Sequence, residues 1–118
     1  MKIRLQRGSI RFRLRQGDVQ ALAQKGSTEE QVHLGGTDFR VTLRRQPAPA
    51  AVSWDGSGIV ATVPESDARG WAASDVVGLR YVLEGGTVLL VEKDWACMEL
   101  APGETNEDTF PRPLKSQA

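Results

Sequence analysis

Arginines at positions 4, 7, 11, 13 and 15 are the residues whose type and spacing could do chemistry in this sequence. Arg11, Arg13 and Arg15 alternate with Ile10, Phe12 and Leu14, so a strand through them puts guanidinium groups on one face and apolar side chains on the other. Guanidinium groups at every second residue can meet a row of phosphates or carboxylates, each offering a planar fork of donors. Arg4 falls on the preceding strand and Arg7 at its end. Arg4, Arg7, Arg11 and Arg13 are therefore the candidate ligand-binding residues. The same pattern also serves a structural purpose, because charged side chains on an open sheet face guard it against edge pairing.

Carboxylates offer a second chemistry. Glu92-Lys93-Asp94 closes the apolar run Thr87–Val91, and alternation puts Glu92 and Asp94 on one side. Paired carboxylates serve acid/base work or a divalent ion, with Asp75 and Glu84 as further oxygens; strand-end charges also stand simply solvated. His33 is the sole histidine, and its alternation with Val32 and Leu34 points it outward with no nucleophile motif around it. The single Cys97, between Ala96 and Met98 and near Trp95, has the apolar surroundings of a buried, inert thiol. One Cys and one His do not make a zinc site unless carboxylates or a second chain complete it. No metal and no cofactor is expected. Gly35-Gly36 and Gly85-Gly86 each join two strands and open no helix, so they are turns and not phosphate loops. Trp54, Trp71 and Trp95 are expected to anchor the core; an exposed one would mark a binding groove.

The elements that must position these groups follow from periodicity. Ile3 and Leu5 alternate with charged residues, and the apolar phase shifts to Ile10, Phe12 and Leu14 across Arg7-Gly8-Ser9, as a hairpin or bulge requires. Gln16 to Lys25 spells a short helix with Val19, Leu22 and Ala23 as its apolar stripe and Gly26 at its end. Glu30–Leu34 and Thr37–Leu43 form a hairpin. A Pro-rich joint, Gln46 to Ala50, then leads into the same order again: strands around Val52–Trp54 and Ile59–Val63, a helix from Glu65 to Ala73, then strands around Leu79–Leu83 and Thr87–Val91. Two copies of ββαββ, at 2–45 and 51–94, are expected to form an α+β domain over residues 1–98. It would be either a small mixed β-barrel or two packed sheets, with two short helices outside. Residues 99–118 read as an acidic, Pro-containing tail, with Phe110 as a pin.

The whole chain has 118 residues, 40% hydrophobic and 25% charged, which is ordinary for one globular domain. Its zero net charge hides an asymmetry: residues 1–50 hold ten Lys or Arg against four acids, and residues 51–118 hold five against eleven. That balance disfavours a dedicated nucleic-acid protein, which is usually basic overall, without excluding nucleic acid as a partner. No apolar run is long enough to span a bilayer, and a lone cysteine fits a reducing cytoplasm.

Two resemblances complete the picture. Met1-Lys2-Ile3-Arg4, Ser9-Ile10-Arg11, Arg13-Leu14, the late Val91-Glu92-Lys93-Asp94-Trp95-Ala96-Cys97-Met98 and the ending around Phe110-Pro111 resemble a family of bacterial proteins of about this length and of unknown function. That resemblance brings no catalytic residues with it. Each half also resembles the swapped-hairpin unit of AbrB-type transition-state regulators and antitoxins, most clearly in Gly58-Ile59-Val60-Ala61-Thr62-Val63-Pro64-Glu65 followed by Ala68-Arg69. Those proteins bind DNA through basic residues near their first strands. Here the matching face is basic in the first copy, but the second offers Ser53, Gly56, Val60 and Thr62. Three functions follow as expectations: a non-enzymatic binding or interaction module for an anionic ligand or partner, an antitoxin-like DNA-binding regulator, and a metal-dependent enzyme using Glu92 and Asp94.

Overall fold

The computed structural model describes residues 1–94 and 107–111. The elements run β1 (Lys2–Gln6), β2 (Ser9–Leu14), α1 (Gln16–Lys25), β3 (Ser27–Leu34), β4 (Thr37–Gln46), β5 (Ala51–Trp54), β6 (Gly58–Pro64), α2 (Glu65–Ala72), β7 (Gly78–Val82) and β8 (Val88–Lys93). The order ββαββ thus occurs twice. Local chemistry sets each boundary. Gly35 and Gly36 both have positive φ, as a tight β3–β4 hairpin demands. In α1 the Asp18 carboxylate accepts the Arg15 amide at 3.0 Å, and Gly26 ends the helix in the left-handed conformation (φ 91°). α2 starts directly after Pro64, whose fixed φ suits a helix entry.

The eight strands of the described residues divide into two mixed sheets, ordered β1-β2-β8-β7 and β3-β4-β6-β5. In each, two antiparallel hairpins join through a central parallel pair: β2 with β8, and β4 with β6. Every hairpin from the first half is therefore partnered by one from the second. Of the two architectures open to the sequence, the closed barrel is not formed; the packed sheets are. The reason lies in the crossings. The chain passes between sheets through α1 and α2, so no bent strand carries a ladder from one sheet into the other.

The core lies between the sheets and under the helices. Ile10 and Phe12 of β2 face Leu89 and Val91 of β8, with Leu14 next along β2; Leu43 of β4 lies beside Ala61 of β6, with Val63 next along β6. Leu22 of α1 and Trp71 of α2 seal the end, and all of these are buried. Burying side chains of this size contributes about 1.5–3 kcal/mol each before chain entropy is counted. Trp71 matches its expected place and donates its indole N–H to the Val77 carbonyl at 3.1 Å. Trp54 departs from expectation: it lies on the inner side of β5, yet stands 64% exposed because β5 is a sheet edge. Trp95 and Cys97 lie outside the described residues. Gly58 is required by close approach rather than by φ, since a Cβ there would come within 1.7 Å of the Arg40 carbonyl oxygen.

Two cations close the inner rows at matching registers, Arg45 opposite Val63 and Lys93 opposite Leu14. Arg45 donates to the carbonyls of Leu22 (2.9 Å) and Ala23 (3.0 Å) in the last turn of α1, and pairs with Glu65 at the start of α2. Lys93 donates to the Ser74 carbonyl just past α2 and lies 5.6 Å from the Trp71 ring and 5.7 Å from the Phe110 ring. Burial lowers the Lys93 pKa, while the nearby Asp75 charge opposes that shift. Arg45 thus adds to the Gly26 amide as a donor at the C-terminal end of α1, where positive charge is favoured, and Lys93 meets the backbone two residues past α2. Of the expected tail, residues 107–111 return to the domain: the Phe110 amide donates to Asp94, and Asp108 accepts the amides of Gln16 and Gly17 at 2.9 Å each.

Arg45→Met keeps the aliphatic stem and removes the donors. It should cost about 2–4 kcal/mol, measured by urea unfolding; a loss within about 0.5 kcal/mol, the range of ordinary surface substitutions, would show that the helix-end contacts do not hold the fold.

Candidate functional site

The outer face of the β1-β2-β8-β7 sheet gathers the expected arginines. Alternation along β1 and β2 sends Ile3, Leu5, Ile10, Phe12 and Leu14 inward, which leaves Arg4, Arg11 and Arg13 outward. Register then sets their neighbours. Arg4 stands opposite Arg11, Arg11 beside Leu90, and Leu90 opposite Arg80, giving one row across all four strands. The adjoining row is Lys2, Arg13, Glu92 and Gly78. Arg7 sits in the exposed β1–β2 turn.

Two residues of this face were not among the expected set. Lys2 alternates with Ile3 and was readable as outward, although its place beside Arg13 needed the strand register. Arg80 belongs to the second half. Its alternation with Leu79 and Tyr81 makes it outward, but only the β7–β8–β2 pairing brings it into the arginine row.

Electrostatics divide the cations into held and unheld. The Glu92 carboxylate lies 3.5 Å from Arg11 Nε and 3.7 Å from Arg13 Nε, and orients both. Asp94, buried at the sheet's end, lies 3.3 Å from Lys2 Nζ and 4.0 Å from Arg15 Nε. Arg4, Arg7 and Arg80 make no side-chain hydrogen bond or ion pair to another described residue. Among the described residues, Lys2, Arg4, Arg11, Arg13 and Arg80 thus face outward on these strands, with Glu92 between Arg11 and Arg13 and Asp94 against Lys2 at the sheet's end.

The other sheet offers a control within the same molecule. Its outer positions matching Arg11 and Arg13 in register hold Val60 and Thr62, and β5 supplies Ala51 and Ser53 in place of basic residues. Its charged groups are internally balanced: Arg40 with Glu29 at 3.9 Å, His33 with Asp38 at 2.9 Å, while Arg44 donates to the Thr62 hydroxyl at 2.9 Å. His33 is exposed, as its alternation predicts.

The carboxylates expected as a possible metal or acid/base set do not gather. Glu92 faces two guanidinium groups, Asp94 is buried toward Lys2 and Arg15, and Asp75 and Glu84 lie in loops. Among the described residues, no three of His, Cys, Asp and Glu come together as a metal site would require. A separate apolar cleft of about 350 Å³ opens between the sheets at β1 and β3, lined by Ile3, Leu5, Val32, Phe39 and Ile59. Trp54 borders Phe39, with ring centroids 6.0 Å apart.

Fold and site together define an α+β protein of two packed mixed sheets, one of which carries a cationic outer face. Over residues 1–114 the sequence matches the model of a family of unknown function, DUF7009, and the chain belongs to that family. No curated protein and no solved structure matches it. No helix among the described residues is long and apolar enough to cross a membrane.

Glu92 competes for Arg11 and Arg13 with any external anion. Glu92→Gln should therefore raise the salt needed to elute the protein from heparin and steepen the dependence of log affinity on log salt by about one. Elution at unchanged or lower salt would show that the carboxylate does not restrain these arginines.

Proposed function

We propose that this protein is a non-enzymatic binding module of the bacterial cytoplasm, which holds an anionic ligand or partner on the outer face of the β1-β2-β8-β7 sheet. Arg4, Arg7, Arg11 and Arg13 would carry the binding, joined by Arg80. One observation supports this above the rest: two sheets of the same strand plan carry opposite kinds of outer face. The balanced face, with Val60 and Thr62 at the positions of Arg11 and Arg13, supports reading the arginine row as more than a requirement of the strand plan. Arg4, Arg7 and Arg80 also have no described partner to satisfy, so their charges are available to a ligand.

DNA binding of the antitoxin-like kind is the second reading. The pairing of each first-half hairpin with a second-half hairpin supports the likeness to a swapped-hairpin unit. It also supports a tandem origin for the two halves, as do Arg45 and Lys93 in matching registers. Basic residues on one sheet alone argue against a symmetric grip on a DNA duplex.

The test is retention on heparin at low salt. The wild-type protein should bind and elute with added salt; Arg11→Ala with Arg13→Ala should elute markedly earlier, and replacing Arg4 and Arg7 as well should abolish retention. Failure of the wild type to bind heparin at low salt would sink the reading. A duplex DNA bound far more tightly than heparin would move the assignment to the second.

A further inference from the structure

Resting on that reading of the face, we infer that its partner is an acidic protein segment with an aliphatic side chain at its centre, and not a nucleic acid. The cations do not stand on a uniformly polar surface. Leu90, half-buried, occupies the arginine row between Arg11 and Arg80. The next row places Val88 opposite Val82, which is 62% exposed. Aliphatic surface thus runs through the cationic patch and out to its β7 edge. Such surface gives nothing to a phosphodiester chain and favours an apolar side chain.

Two further observations point the same way. No outer position on these four strands carries an aromatic side chain, so the stacking platforms of single-strand binders are absent from the face. Glu92 also stands within the patch, where a continuous polyanion would have to cross it. Discrete carboxylates need not.

The spacing gives the partner a pattern. Arg4 and Arg80 lie on the two edge strands, three strand intervals apart, or about 14 Å, with Arg11 and Leu90 between them. In an extended chain, residues i and i+4 lie about 13 Å apart, and i, i+2 and i+4 share one face. A segment of the form Glu-x-Val-x-Glu crossing the strands would put its carboxylates at Arg4 and Arg80 and its valine between Arg11 and Leu90, within reach of the Leu90 side chain and the aliphatic stem of Arg11.

The experiment compares fluorescein-labelled peptides by anisotropy at fixed salt. One contains Glu-Thr-Val-Thr-Glu, the second Glu-Thr-Ser-Thr-Glu, and a 20-base-pair DNA duplex is the third probe. The valine peptide should bind about tenfold more tightly than its charge-matched serine counterpart, and more tightly than the duplex. Leu90→Ser should erase the difference between peptides while leaving heparin elution in place; Val82→Ser, at an exposed edge position, serves if Leu90→Ser fails to fold. Arg4→Ala with Arg80→Ala should weaken the valine peptide by at least about tenfold. Equal binding of the two peptides, or a duplex bound as tightly as the valine peptide, overturns the acidic-segment assignment even where heparin retention survives. Absence of heparin retention in the wild type fails the underlying reading instead.

Discussion

Pairing of β2 with β8 is the interaction on which the rest of this structure depends. The two strands are separated by most of the described chain, and they run parallel, so no short turn could bring them together. Their register acts on both faces at once. Inward, it sets Phe12 beside Val91 and Ile10 beside Leu89. Outward, it sets Arg13 beside Glu92 and Arg11 beside Leu90. A slip of one residue would bury arginines and expose the core, so the apolar face enforces the arrangement of the cationic one. The candidate site is a consequence of core packing read from the other side of the same strands.

The parallel pairs require crossings between sheets, and the crossings explain why charge enters an otherwise apolar interior. The C-terminal end of a helix favours positive charge. Arg45 donates there to the Leu22 and Ala23 carbonyls of α1, and Lys93 to the Ser74 carbonyl just past α2. Their long aliphatic stems extend the apolar rows while their heads reach the polar rim. Lys93 also has two aromatic faces nearby, which favour a cation that burial would otherwise disfavour.

A contrast between the two outer faces carries the functional argument. Strand order, pairing sense and hairpin exchange are common to both sheets, yet one face balances its charges internally and the other accumulates cations. Like charges on adjacent strands repel by a few tenths of a kcal/mol or more at close pairs, and Glu92 relieves only part of this. Membership in a family of unknown function supplies no ligand, so the partner has to be argued from the face itself: unheld guanidinium groups at both edges and aliphatic surface between them. The exposed cleft beside Trp54 is a distinct feature of the opposite, inter-sheet side. It exists because β1, β3 and β5 are sheet edges with inward apolar residues and no strand beyond them.

Much of this protein was legible in its sequence because strands, helices and tight turns are local. Period-two alternation placed Arg4, Arg11 and Arg13 on the face away from Ile3, Phe12 and Leu14; glycine pairs marked hairpins; Pro64 and Gly26 marked helix ends. Each follows from sterics within a few residues. Which strands become neighbours is not local, since many pairings bury similar apolar area. Tertiary structure alone therefore chose two sheets over a barrel, exposed Trp54 at an edge, paired Glu92 and Asp94 with different cations, and brought Arg80 from the second half into a row begun by Arg4. The sequence determined what each strand presents on its two sides; the long-range burial of those inner sides decided whose outer residues stand together.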